Sequence, residues 1–356
     1  MDSLNFKNLE FPINGKTTRI FTLENKNGLK AIFSNYGQRI ISLHVPDKRG
    51  NFEDIVLGFS SLPEYFDGPG KYFGAVIGRY GNRISKGKFT LDGTAHQLSI
   101  NNGDNHLHGG KKGFGSVVWD TEQVNKSEIH FSRVSPDNEE GYSGNLLVEV
   151  TYQLNDANEL IIKYKAKTDK ATPINLTHHS YFNLKGAGNG SIDQHILQIN
   201  ANSFTPVNQH LIPTGTIEDV QGTPFDFLIP KPIGRDISTK NEQLYFGNGY
   251  DHNFVLNKST EGDDELTFAA KAVEANSGRT MEVFTNEPGI QFYSGNRLDI
   301  LGKEGKHYPN RGAFCLETQH YPNSPNNPNF PNVILQPGEV YKSTCMYRFG
   351  VQTDKA

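Results

Sequence analysis

Cysteine is scarce in this chain: 356 residues contain two, Cys315 and Cys345, and neither belongs to a Cys-x-x-Cys pair. That excludes a disulfide framework, and two free, buried thiols in a reducing compartment are expected. Long apolar runs are lacking as well. No stretch approaches the roughly 18 residues of a membrane helix, and the opening MDSLNFKNLEFPINGK has no cationic segment leading into an apolar one. A cytoplasmic protein with no membrane partner is expected. Charge of one sign is not in excess: 35 basic and 39 acidic residues leave a net charge of −4, spread along the chain without blocks. A nucleic-acid partner would need a basic face, and the sequence offers none. Helical periodicity is missing too, with only Ser61 to Asp67 and Pro232 to Ser238 as short candidates. There is no internal repeat of the kind a propeller requires and no Gly-Ser or Pro-rich linker. One domain over residues 1–356 is therefore expected, with Tyr321 to Asn332 (YPNSPNNPNFPN) as a surface loop.

Turn formers are what the chain has in plenty. The 36 Gly, 18 Pro and 35 Asn make up a quarter of it, which implies many short elements joined by tight connections, as in large antiparallel β proteins. With 35% hydrophobic and 11% aromatic residues a sizeable core is still within reach. In Leu160 to Lys167, Ile162, Tyr164 and Ala166 fall on one parity and Lys163, Lys165 and Lys167 on the other, the period of a half-buried strand. Leu146 to Leu154 reads as its hairpin partner, with Asn155 to Asn158 as the turn. Asn27-Gly28 and Asp92-Gly93 suit two further hairpins. The expected fold class is all-β, a large single-domain antiparallel β-sandwich.

Four polar clusters sit inside these β-like, Gly-marked surroundings. GAVIGRYGNRI brings Asn82 and Arg83 after an apolar strand, where an exposed Arg would be ordinary. NHLHGG holds His106 and His108, which share a face if the segment is extended. They read equally as metal ligands, as a substrate-facing pair or as a polar strand edge. NLTHHSYFNL contains His178, His179, Ser180 and Tyr181; consecutive histidines point to opposite faces, so only one can serve a given site. In GAFCLETQHYPN, Glu317 follows an apolar run, and a Glu in that position is either paired structurally or functional. Asp251 in GYDHNF and Gln291 in PGIQFYSGN are smaller signals.

GRYGNRI, LHGG, HHSYFNL, GYDHNF, GIQFYSGN and CLETQ occur in an order and spacing that resembles the aldose 1-epimerase (galactose mutarotase) family, over nearly the whole chain. Gly81 and His178 stand where many members of that family have Ala and Asn. The resemblance implies a sandwich of the galactose mutarotase type and interconversion of the α and β anomers of free aldoses, with no metal and no organic cofactor. It implies Glu317, His179 and His108 as catalytic residues and Asn82, Arg83, Ser180, Tyr181, Asp251 and Gln291 as substrate-binding ones. A small-molecule aldose is then the partner, and the protein a monomer or weak homodimer.

Changing an anomer requires the ring to open, which takes a proton from the C1 hydroxyl and gives one to the ring oxygen. Under the resemblance Glu317 is the base at O1 and His179, as imidazolium, the acid at the ring oxygen. His108 steadies the open aldehyde, Arg83 and Asp251 hold ring hydroxyls, and Tyr181, Phe182 and Phe292 offer apolar surface. Other readings stay open on residue type: a glycosidase using Asp251 and Glu317, a metal enzyme using His106, His108 and His179, a sugar-binding module without turnover, or a hexose-phosphate epimerase using Lys111 and Lys112.

Overall fold

The computed structural model describes residues 10–258 and 265–352. Its largest sheet has nine antiparallel strands. Its third and fourth strands are the hairpin that the alternation foretold: Leu146–Leu154 pairs with Glu159–Thr168, setting Val150 opposite Tyr164 and Tyr152 opposite Ile162. Every second side chain is buried, while Lys163, Lys165 and Lys167 face outward. Each fully buried Val, Leu or Ile on this face contributes about 1.5–3 kcal/mol. Tyr341–Val351 continues the sheet beside Glu159–Thr168, followed by Arg279–Thr285 and Thr267–Val273. Asp92 and Gly93, at φ 49° and 76°, form the tight turn between Lys88–Leu91 and Thr94–Gln97. Asn27-Gly28 lies in the connection from Ile20–Glu24 to Lys30–Ser34.

A five-stranded and a four-stranded antiparallel sheet share one apolar core with the large sheet, completing the expected all-β sandwich. Phe33 meets Tyr152 edge-on at 5.0 Å, and Phe182 lies 5.2 Å from Tyr347. The Tyr347 hydroxyl donates to the Leu316 carbonyl at 3.1 Å, tying the edge of the five-stranded sheet to the large one. That sheet runs Glu218–Asp219, Ser203–Thr205, Asp251–Val255, Gly289–Tyr293, Cys315–Gln319. Because side chains alternate, Leu316, Phe292 and Phe254 enter the core, and Glu317, Gln291 and Asn253 present the other face.

Three local expectations need correction. Ser61 to Asp67 contains only a 3-10 turn at Pro63–Tyr65, and Pro232 to Ser238 starts at the end of the strand Lys231–Pro232 and continues as turns. The α-helix found among the described residues is Glu242–Gly247, capped by the Asn241 side chain, which accepts from the Gln243 and Leu244 N–H groups. Six residues are too few to show a helical period. The Tyr321 to Asn332 segment is not simply a surface loop, since Tyr321, Asn323 and Ser324 are buried. The Tyr80 hydroxyl donates to the Tyr321 carbonyl at 2.9 Å, and the Asn323 N–H donates to the Arg83 carbonyl at 2.8 Å. The segment braces the strand that carries Arg83. Both cysteines are free and buried, and no helix among the described residues is long and apolar enough to cross a membrane.

Candidate active site

The polar face of the five-stranded sheet supplies one wall. Register sets Glu317 beside Gln291 and Gln291 beside Asn253, with Cys315, Tyr293 and Asp251 as the neighbouring row. Gln291 Nε2 donates to Asp251 Oδ1 at 2.7 Å, and Arg83 Nη1 lies 3.7 Å from Asp251 Oδ2. Arg83 Nε also donates to Asn102 Oδ1 at 3.1 Å. Arg83 and Asp251 keep part of their surface open, whereas Glu317 is 2% exposed.

A second wall comes from Thr177–His179, paired antiparallel with Ala75–Ile77. His179 Nε2 stands 3.5 Å from Glu317 Oε1, and both side chains are buried. The imidazole is nearly parallel to Tyr181, with ring centres 4.9 Å apart, and to Tyr72, at 5.9 Å. Burial disfavours charge on either partner. It pushes His179 down to about 3, and it pushes Glu317 well above the usual carboxylate range, with Asp251 adding to the rise and Arg83 opposing it. Burial thus favours the arrangement in which Glu317 holds the proton and His179 is neutral. The expected arrangement, an ionised Glu317 beside an imidazolium, has the same net protonation but carries two charges that this dry pocket penalises.

His108 closes the third side. Its backbone is left-handed, φ 52°, and Gly109 follows at φ 79°, where an added Cβ would lie 1.8 Å from the Gly78 carbonyl oxygen; only glycine fits. The Asn82 N–H donates to His108 Nδ1 at 3.1 Å. Burial holds His108 well below its ordinary pKa, with the nearby His179 and Arg83 adding to the effect. The neutral ring therefore carries its proton on Nε2, as a donor. Its centre lies 5.1 Å from that of His179. His106 does not join it. The extended stretch ends at Leu107, so the shared-face expectation fails, and His106 is spent on the Ser99 carbonyl and the Tyr142 hydroxyl, each at 2.7 Å.

The sequence profile of the aldose 1-epimerase family matches residues 19–348. The chain belongs to the aldose 1-epimerase family. Galactose mutarotase of Sus scrofa is 48% identical to it over 344 residues, covering 96% of this chain and 97% of that protein. Aldose 1-epimerase of Escherichia coli K12 is 36% identical, covering 94% and 96%. Among solved structures, the aldose epimerase homologue of C. elegans matches with a TM-score of 0.86 at 31% identity, over 94% of this chain and 100% of that one. The sandwich is accordingly of the galactose mutarotase type.

Within this member of the aldose 1-epimerase family, the structure brings together Glu317, His179, His108, Asn82, Arg83, Tyr181, Asp251 and Gln291. Ser180 is the exception among the expected site residues: its Oγ lies 3.1 Å from His178 Nδ1, on the opposite face of the strand from His179. Phe182 and Phe292 also turn into the core, so the expected apolar surface reduces to Tyr181. Lys111 and Lys112 are exposed, and their backbone N–H groups are held by the Glu140 carboxylate at 3.0 and 2.9 Å, in keeping with a solvated turn. Tyr72 and Asn102 line or support the site without having been singled out, and nothing in their sequence surroundings marks them; Cys315, two residues before Glu317 in the same segment, also faces the site. Glu317, rather than His106, groups with His108 and His179: their ligand atoms lie within 4.8 Å of one another, an arrangement that could also hold a divalent cation.

Proposed function

We propose that the protein is an aldose 1-epimerase, interconverting the α and β anomers of free aldohexoses such as glucose and galactose by acid/base ring opening and reclosure. The observation that carries this reading is the buried pair at 3.5 Å, His179 Nε2 and Glu317 Oε1, two groups able to exchange a proton. One group takes the proton of the C1 hydroxyl while the other gives one to the ring oxygen; after rotation about C1–C2 the roles invert and the ring closes on the other carbonyl face. Glu317 serves O1 and His179 the ring oxygen. The substrate shifts the shared proton from Glu317 to His179, a transfer that leaves the net charge of the pocket unchanged. His108 donates its Nε2–H to the sugar oxygen on which negative charge develops as the ring opens. Asn82, Arg83, Asp251 and Gln291 hold the ring hydroxyls. This chemistry calls for no cofactor. The chain acts as one domain, in the cytoplasm, as a monomer or weak homodimer.

Polarimetry on freshly dissolved α-glucose and α-galactose tests the reading, with faster relaxation to the anomeric equilibrium than buffer alone as the expected result. The rate is expected to survive dialysis against a chelator. A protein that binds galactose but leaves the relaxation rate at the buffer value is a sugar-binding module, and one that cleaves a disaccharide glycoside is a glycosidase. A rate lost to the chelator and restored by Zn²⁺ would favour the metal reading of His108, His179 and Glu317.

Arg83→Ala separates holding from chemistry. It removes charge-assisted hydrogen bonds to ring hydroxyls, so kcat/KM is expected to fall about 10- to 100-fold, mostly through KM. Initial polarimetric rates over a range of galactose concentrations measure the split. An unchanged KM would remove Arg83 from the binding role.

A further inference from the structure

Cys315 and Glu317 are two residues apart on one strand and so share a face. The His179 ring lies across both of them. Its Nε2 is 3.5 Å from Glu317 Oε1, and its Nδ1 is 3.4 Å from Cys315 Sγ. One short stretch, Cys-Leu-Glu, therefore brackets both nitrogens of the same imidazole. His108 makes an instructive contrast: a backbone N–H donates to its Nδ1 and fixes the proton on Nε2. The His179 ring meets acceptors instead: its own backbone carbonyl favours a ring N–H, and the Cys315 thiol is buried, with burial reinforced by the neighbouring Glu317 and Asp251 keeping it protonated. An uncharged sulfur can accept a weak hydrogen bond. Unlike a carboxylate in the same place, it adds no charge that would trap the imidazolium form.

We propose that Cys315 is a positioning residue: its Sγ accepts the Nδ1–H of His179, so that Nε2, turned toward Glu317, is the nitrogen that trades a proton with the sugar. The proposal rests on the reading of Glu317 and His179 as the acid/base pair. It also completes the geometry of that pair. With the proton on Nδ1, the lone pair of Nε2 faces the protonated Glu317 carboxyl, the arrangement along which one proton can pass. The aromatic rings of Tyr72 and Tyr181 restrain the ring plane, and the sulfur fixes the rotation within it.

Ring ¹⁵N NMR of the sugar-free wild-type protein reads the tautomer directly. The expected result is a neutral His179 with its proton on Nδ1, and a proton on Nε2 would overturn the proposal. Cys315→Ala is expected to lower kcat roughly two- to fivefold, the worth of one weak hydrogen bond, with KM changed by less than about twofold. Cys315→Ser, which returns an acceptor, is expected to recover about half of the lost rate or more. An alanine variant with wild-type kcat and an unchanged His179 tautomer would equally overturn it. The tautomer is read without turnover, so its outcome is separate from that of the polarimetric assay, and the wild-type measurement stands whether or not the variants fold.

Discussion

Glu317→Gln is expected to lower kcat by 10²-fold or more while galactose still binds. The amide has the shape of the carboxyl, and the position is buried between Leu316 and Thr318 in a strand whose register with Gln291 depends only on backbone pairing. The fold and the cleft should therefore survive the change. What is lost is the ability to hold and release a proton at O1, a contribution typically of about 10² to 10⁴ in rate. The amide also removes the buried group that Asp251 destabilises when ionised, so the variant should be no less stable than the parent. Calorimetric titration with galactose, beside polarimetric rates, separates the two effects. If more than about a tenth of the parent kcat remains, Glu317 is not the group that handles the O1 proton.

Much of this was legible in the sequence because the signals are local. The alternation from Leu146 to Lys167 specifies a hairpin whichever fold surrounds it, and Asp92-Gly93 specifies the tight turn of a separate one, between Lys88–Leu91 and Thr94–Gln97. Glu317 stood out because a carboxylate within an apolar run is costly unless it has work to do. His179 could be told from His178 only as one of two faces, and the resemblance chose between them. The failures have separate causes. A period-two rule extended through His106 and His108 breaks because His108 turns left-handed, a conformation that its own side chain does not announce. Ser180 carries the parity of His178, so the same rule that separates the two histidines also places it behind the sheet. Tyr72 and Asn102 approach the site through packing between distant segments, and such contacts leave no pattern in a single chain. For the charge state, the proximity of opposite charges was visible in the sequence, but the depth of burial that opposes both charges was not.

His179→Gln is expected to cost as much as the Glu317 change, and its pH dependence tests the account of the shared proton. In the parent, activity requires one proton on the pair. The acidic limb is the uptake of a second proton, which burial of His179 defers to low pH; the basic limb is the loss of the only one, which burial of Glu317 defers to high pH. A broad plateau of kcat/KM across neutrality follows, with limbs belonging to the pair rather than to either residue. In His179→Gln only Glu317 titrates. Residual activity needs it ionised, so the rate is full above its pKa and falls as pH drops through it. Because the desolvating surroundings remain, the midpoint is expected well above the roughly 4.3 of an ordinary Glu. Polarimetric rates from about pH 5 to 9, corrected for buffer catalysis, provide the check, with the parent as reference. A limb near the ordinary carboxylate value would mean that Glu317 is solvated during turnover, and retention of more than a tenth of the parent kcat would mean that another group protonates the ring oxygen. A parent profile that rises or falls steeply through neutrality would show that the pair does not hold its single proton there, and the exchange of roles between Glu317 and His179 would have to be given up.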